Sequence, residues 1–325
     1  MKKATKGWLI AAVSLVLVGA VLFVGVMTAL HWDFNSLSTR KYETTTHAIS
    51  ESFTHISVTA DTADIQFVPS EDDSVSVVCY EDVDFRHTVT VEGDTLVIQS
   101  TQSQKWYQHI GIGFASPTIT VYLPEGAYGD LTVRASTASV EIDIYFTFDN
   151  MDVSVSTGDV TNFASVVGSA KIRTTTGHIH AKSCNAGSLD LSVSTGDIQM
   201  KNITTGALNV KVTTGKTTAY RVQCSHLTSD GSTGDLFLRE VIAKDSFTIT
   251  RSTGDITMEE CDAGSMKITT DTGDVLGTLL SPKVFAAHTD TGHVTLPHVR
   301  PEGGPCEITT DTGNIYITLV DTEDE

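Results

Sequence analysis

Hydrophobic and polar positions alternate along most of this chain, and the alternation carries a second, longer period. The dipeptide Thr-Gly recurs with its glycine at Gly158, Gly177, Gly196, Gly215, Gly234, Gly254, Gly273, Gly292 and Gly313, at intervals of 19, 19, 19, 19, 20, 19, 19 and 21 residues. A degenerate copy, Thr137-Ala138-Ser139-Val140, lies twenty residues upstream and completes ten units. Seven positions before the glycine every unit is apolar, from Leu131 and Met151 to Phe285 and Cys306. Five before it, all but Ser229 are apolar, and two after it all but Thr217. Thr, Ser, Lys, Arg and Asp fill the places between. Alternation on both sides of a fixed point predicts two strands per unit, one face inward. Thr-Gly is the corner, where glycine supplies a backbone angle that other residues resist. A second bend is expected where Gly168, Gly187, Gly206 and Gly264 fall in matching phase. Gly303 is out of phase with the corners and is expected to tolerate substitution better.

A meander of hairpins also alternates, but it does not hold one residue type at one phase through ten consecutive units. Constant phase means that each unit stacks on the next, like residue over like residue, about 4.8 Å apart. The expected fold is all-β: a single-stranded β-solenoid, or β-helix, of about ten 19-residue units over residues 131–320. Ten units make a rod of about 48 Å at that spacing. Residues 51–130 alternate less regularly and read as an N-terminal β cap continuous with the solenoid. Exposed strand edges invite polymerisation, so the acidic tail 321–325 is expected to cap the other end. Trp106, Tyr107 and Phe114 form an aromatic cluster expected to cover the core.

Before the strands, 24 residues from Gly7 to Leu30 carry no charge. A helix of that length covers the roughly 30 Å hydrocarbon core. Lys2, Lys3 and Lys6 precede it, which predicts a cytoplasmic tail at 1–6, a transmembrane helix at 7–30 as the membrane contact, and everything later outside. Residues 31–50, rich in Ser and Thr, read as a juxtamembrane linker. A cleaved signal peptide ending near Val18-Gly19-Ala20 is the competing reading, but apolar sequence continues ten residues beyond it, whereas signal cores span about 7–15 residues.

Charge narrows the partners. The 325 residues hold 21 basic and 40 acidic side chains. No acid lies in the first thirty, so the remainder carries eighteen basic residues against forty acidic, or −22. Such a surface repels phosphate backbones and excludes nucleic acid as a partner.

Ile56-x-Val58…Ala63-Asp64-Ile65, the Val121-Tyr-Leu-Pro124 step and the repeated Ser-Thr-Gly-Asp-Val/Ile together resemble the bacterial DUF4097 family of adhesin-like, toast-rack β-strand repeat proteins. The resemblance covers about residues 51–320. It implies a cell-surface protein, in some cases tied to envelope-stress systems, and it brings no catalytic residues.

Three constellations could carry chemistry. Asp271-Thr-Gly273, Asp290-Thr-Gly292 and Asp311-Thr-Gly313 spell the aspartic-protease tripeptide, but the tripeptide coincides with the repeat corner, and six other units have Thr-Gly without the aspartate. Asp235, Asp255 and Asp274 form one acidic column, and Asp271, Asp290 and Asp311 a second. Carboxylates about 5 Å apart repel, which favours a raised pKa or a bound cation such as calcium. The alternative is a solvated Asx turn beside glycine. His178 with His180, and His288, His293 and His298, lack paired cysteines and read as surface histidines rather than a zinc set. Five cysteines stand at discordant phases; Cys184 and Cys261 share a phase four units apart, too far for a bridge. They are expected to be free, buried thiols.

No cofactor is implied. The favoured function is a membrane-anchored, non-catalytic surface interaction module whose partner is an unidentified envelope protein or surface polymer. An accessory or sensory protein of a cell-envelope stress system is the alternative, and a polysaccharide-active β-helix enzyme the third. Regular corners leave no long loops from which to build a cleft.

Overall fold

The computed structural model describes residues 3–33, 40–100, 115–298 and 303–320. One helix, α1 (Lys3–Ala29), is followed entirely by strands. Its stretch Lys6–Ala29 is long and apolar enough to cross a membrane, and side chains such as Trp8, Leu15 and Val21 stand exposed along it.

The strands begin with β1 (Tyr42–Ile49), β2 (His55–Thr62), β3 (Asp64–Pro69), β4 (Val75–Asp82), β5 (His87–Glu92), β6 (Thr95–Ser100) and β7 (Thr118–Leu123). The coils proper follow as strand pairs around each corner: β8 (Gly126–Thr137) with β9 (Val140–Ile142), β10 (Phe146–Thr157) with β11 (Val160–Asn162), and β12 (Ser165–Thr176) with β13 (Ile179–Lys182). Next come β14 (Asn185–Thr195), β15 (Ile198–Thr214), β16 (Thr217–Thr233), β17 (Leu236–Thr253), β18 (Ile256–Thr272) and β19 (Val275–Leu279). The last coils are β20 (Lys283–Thr291), β21 (Val294–Thr295), β22 (Gly304–Thr312) and β23 (Ile315–Leu319).

Neighbouring coils pair in parallel with like positions opposite: Ile172, Leu191, Val210, Ser229, Ile249 and Ile268 form one inward ladder. All six are buried, and so is Thr217, the polar exception at the other inward column. The fold is the β-solenoid that the repeat implies. At the nine Thr-Gly corners φ runs from +128° to +154°, a region essentially closed to side chains. A Cβ on Gly196 would also overlap the carbonyl oxygen of Gly177 in the coil below.

Five successive coils have a second corner that glycine does not mark. Ser183, Asn202, Arg221, Glu240 and Glu260, six residues past successive corner glycines, all adopt φ of +53° to +55°. The bend expected at Gly168, Gly187, Gly206 and Gly264 is not marked by a break: each glycine lies inside a continuous strand with ordinary φ. There the glycine is needed because the next coil passes close: a Cβ on Gly206 would lie 2.6 Å from the carbonyl oxygen of Gly187.

Consecutive stacking fails at both ends. β22 lies between β18 and β20, with Ile308 opposite Ile268 on one side and Ala287 on the other. The tenth unit therefore sits inside the ninth. Burial explains the exchange: Cys306, Ile308, Ile315 and Ile317 are fully covered, whereas in the outermost coil Phe285 and Ala287 are half-buried and Val294 is exposed. The stack thus holds its greasier last unit inside and ends on the less buried ninth. Gly303 belongs to this crossing. A Cβ there would overlap the carbonyl oxygen of Pro282, so the tolerance expected of it from phase alone is not supported by its packing.

The N-terminal end repeats the device. β2 pairs in parallel with both β6 and β8, and β3 with both β7 and β9. The segment around Ala63 is thus a full coil in phase with the repeats, Thr62 opposite Thr137, rather than an irregular cap. Antiparallel strands then close the end: β5 on β6, β4 on β7, and β1 on β4. The stretch read as a linker at 31–50 accordingly contains a strand; Tyr42–Ile49 is rich in β-branched residues, and as an edge strand it needs only one half-buried face. The aromatic cluster at 106–114 and the acidic tail at 321–325 lie outside the described residues.

Candidate functional site

The corner column directly after each glycine is a hydrogen-bonded ladder. Asp235 Oδ1 accepts the backbone N–H of Asp255 (3.1 Å), Asp255 Oδ1 that of Asp274 (2.9 Å), and Asp274 Oδ1 that of Asn314 (2.6 Å). Asn314 Oδ1 in turn accepts from His293. Earlier coils do the same: Asp159 accepts from His178, His178 Nδ1 from Asp197, and Asp197 from Lys216. The position therefore selects side chains with a short-range acceptor. At these corners a carboxylate, amide or imidazole acceptor of one coil takes a backbone N–H of the neighbouring coil.

Asp271, Asp311 and Asp290 stack in that spatial order and are exposed. No three of the six column aspartates bring ligand oxygens within 4.8 Å of one another. Melting in equal concentrations of calcium and magnesium is expected to rise equally for both ions, by screening the −22 carried beyond residue 30, and to be unchanged in rank by Asp255→Asn plus Asp274→Asn. A calcium-specific rise that the double variant abolishes would reverse that expectation.

The histidines are dispersed. His178 and His180 stack at 6.3 Å, and burial beside Lys182 holds His180 below its ordinary pKa. His288 Nε2 lies 2.9 Å from Asp290 within the outermost coil. All five cysteines are buried and unbridged.

Two buried cations were not legible as such. Arg251 is 2% exposed; its guanidinium donates to the carbonyl and hydroxyl oxygens of Ser229 and fills the space over Gly231. Burial draws its pKa down to about 10. Lys283 Nζ lies 2.6 Å from Asp262 and donates to Ala263 O and Ser281 Oγ, pinning the outer coil to the stack.

The one cluster of metal-competent side chains among the described residues lies in the N-terminal end: Cys79, Glu81 and His87, all buried, with ligand atoms mutually within 4.8 Å. Glu81 Oε2 accepts the backbone N–H of His87 at 2.7 Å and lies 2.8 Å from its Nδ1. Burial, reinforced by the charge of Glu81, pushes the Cys79 thiol up to about 12. Sequence reading missed this group because it sought paired cysteines. The signal was Cys-x-Glu on one strand face with a histidine just across the following turn.

The family described as Toastrack DUF4097 matches this chain over residues 53–220 and 217–325. The chain belongs to the Toastrack DUF4097 family. No curated protein matches this family member. Similar solved structures include a "putative adhesin" from Bacteroides fragilis at 14% identity, covering 86% of this chain and 97% of that one, TM-score 0.43. Another, from Parabacteroides distasonis, is a "putative lipid binding protein" at 19% identity, covering 72% and 94%, TM-score 0.46. A "putative adhesin" from the same organism is 10% identical, covering 84% and 98%, TM-score 0.49.

Proposed function

We propose that this chain is a membrane-anchored, extracytoplasmic β-solenoid acting as a non-catalytic interaction module at the cell surface. The observation that carries the reading is the continuity of the exposed ladders. From β8 to β18 the strand leading into each Thr-Gly corner stacks in register on its neighbours, with the register shifts falling earlier in the coil, so polar side chains beside the corners form columns along the rod. An extended partner such as a surface polymer or envelope protein fits such columns better than a small substrate does. The helix α1, exposed and uncharged after its lysines, suits a tether that leaves residues 31–325 outside.

Topology gives the first test. Protease added to intact cells is expected to remove a C-terminal epitope while an N-terminal tag stays in the membrane. A soluble mature form beginning near Val21 would instead make α1 a cleaved signal. Crosslinking on intact cells, followed by recovery of the solubilised chain, is expected to bring down one dominant envelope component; none at all would remove support for an interaction role.

A further inference from the structure

We propose that Cys79, Glu81 and His87 form a binding site for a divalent transition metal of the zinc class, built into the N-terminal end of the solenoid. The backbone brings the donors together. Cys79 and Glu81 are two apart on β4 and so share its inward face, and the turn after Asp82 returns the chain so that His87, at the start of β5, meets them. The ligand atoms lie within 4.8 Å of one another. Two atoms each bonded at about 2.0 Å in a tetrahedral zinc site are about 3.3 Å apart, so the 2.8 Å between Glu81 Oε2 and His87 Nδ1 needs little adjustment.

A second observation points to a cation independently of that spacing. Glu81 is 1% exposed, and its Oε1 is buried without a hydrogen-bond partner. A plain ion pair between Glu81 and a protonated His87 satisfies Oε2 alone and leaves Oε1 orphaned beside a thiol. Burying an unpaired carboxylate oxygen is costly. On the adjoining strand β1, His47 also has a buried Nε2 without a partner, two residues along from Thr45, which is opposite Cys79. Two unpartnered buried polar atoms, Glu81 Oε1 and His47 Nε2, thus lie on the paired strands β4 and β1.

The donor set selects the metal. A sulfur, a ring nitrogen and a carboxylate oxygen suit zinc and its neighbours, while calcium and magnesium take oxygen ligands. On binding, the thiol releases its proton to solvent and the sulfur donates its freed electron pair to the metal. His87 coordinates through Nδ1 with its proton on Nε2. Thiolate and carboxylate together cancel the dication, so the loaded site is neutral and can remain buried. The metal would tie β4 to β5 at the end of the stack, beside the Arg40–Asp82 pair.

The test uses the untagged full-length chain in detergent micelles, stripped with chelator and titrated with cobalt(II), then zinc(II). One equivalent of cobalt should bind and give a thiolate-to-cobalt charge-transfer band that zinc bleaches. Zinc should raise the melting temperature by several degrees. Cys79→Ser is expected to abolish the band, and His87→Gln to weaken binding at least tenfold. A wild-type chain with no thiolate band, or a band that persists at full strength in Cys79→Ser, overturns the site. Because either variant could fail to fold, zinc X-ray absorption on the wild type decides without them. One sulfur at about 2.3 Å with nitrogen and oxygen at about 2.0 Å supports the site, and a shell without sulfur refutes it.

Discussion

Replacing Gly196 with alanine is expected to destabilise the chain by about 2–6 kcal/mol, measured as a shift in the urea midpoint at constant slope. Two separable costs make up that figure. The backbone at Gly196 has φ of +136°, where an L side chain pays about 1–3 kcal/mol in strain. The added methyl also overlaps the Gly177 carbonyl oxygen, which belongs to the coil below and is held by the parallel ladder, so it cannot retreat without displacing a neighbour; such overpacking costs about 1–3 kcal/mol more. Gly126 separates the two. Its φ is +152°, yet no atom lies within 4 Å of the Cβ it would gain, so alanine there should cost only the strain. Equal losses at both positions would mean that packing between corners contributes nothing. Gly303 is unsuited as a tolerant control, because the Pro282 carbonyl blocks its Cβ.

The corner glycines and inward columns were legible in the sequence because each depends on a single coil: one residue in one backbone region, or one apolar position facing the axis. The order of the coils depends on pairs of coils and left no such mark. Ile308 sits equally well in register with Ile268 or with Ala287, so the repeat phase is indifferent to which unit lies inside. Only the comparison of Ile315 and Ile317 with the weaker Val294 hints at the exchange. The second corner was invisible for another reason. Ser183, Asn202, Arg221, Glu240 and Glu260 share a φ but no side-chain chemistry, and an αL residue at a solvent-facing corner costs only about 1 kcal/mol when it is not glycine.

Arg251 shows how a polar residue enters an apolar ladder. Ser229 and Gly231 are both undersized for the interior, and the neighbouring coil supplies a long side chain whose guanidinium both fills the gap over Gly231 and donates to Ser229. The clue was two small residues at inward positions of one unit, beside an arginine at an inward phase of the next. At the site level, the acidic columns drew attention because repeats amplify them. Their regularity has a backbone cause: each aspartate accepts the N–H of the residue stacked on it. The Cys79 group occurs once, off the repeat, and required the turn after β4 to be known.

Raising the pH from 8 to 10 is expected to remove about 5 kcal/mol of stability through four buried thiols alone. Burial pushes Cys184 and Cys224 up to about 11, and Cys261 and Cys306 up to about 12, from an ordinary 9.0. A group whose folded pKa is raised contributes stability that is fully present below its unfolded value and is lost as pH climbs toward the folded one. The window therefore opens near 9 and closes near 11–12. At pH 10 the unfolded chain has ionised each thiol tenfold while the folded chain has ionised almost none, about 1.4 kcal/mol per thiol. Four such terms are comparable with the whole stability of many domains, about 5–15 kcal/mol. Urea midpoints of the full chain in detergent should fall steeply above pH 9. A variant with Cys184, Cys224, Cys261 and Cys306 all changed to alanine should start less stable, through the cavities it opens, but fall much less over the same range. If the variant keeps the full alkaline slope, the thiols are not its source, and surface repulsion among forty carboxylates and the ionising tyrosines takes their place.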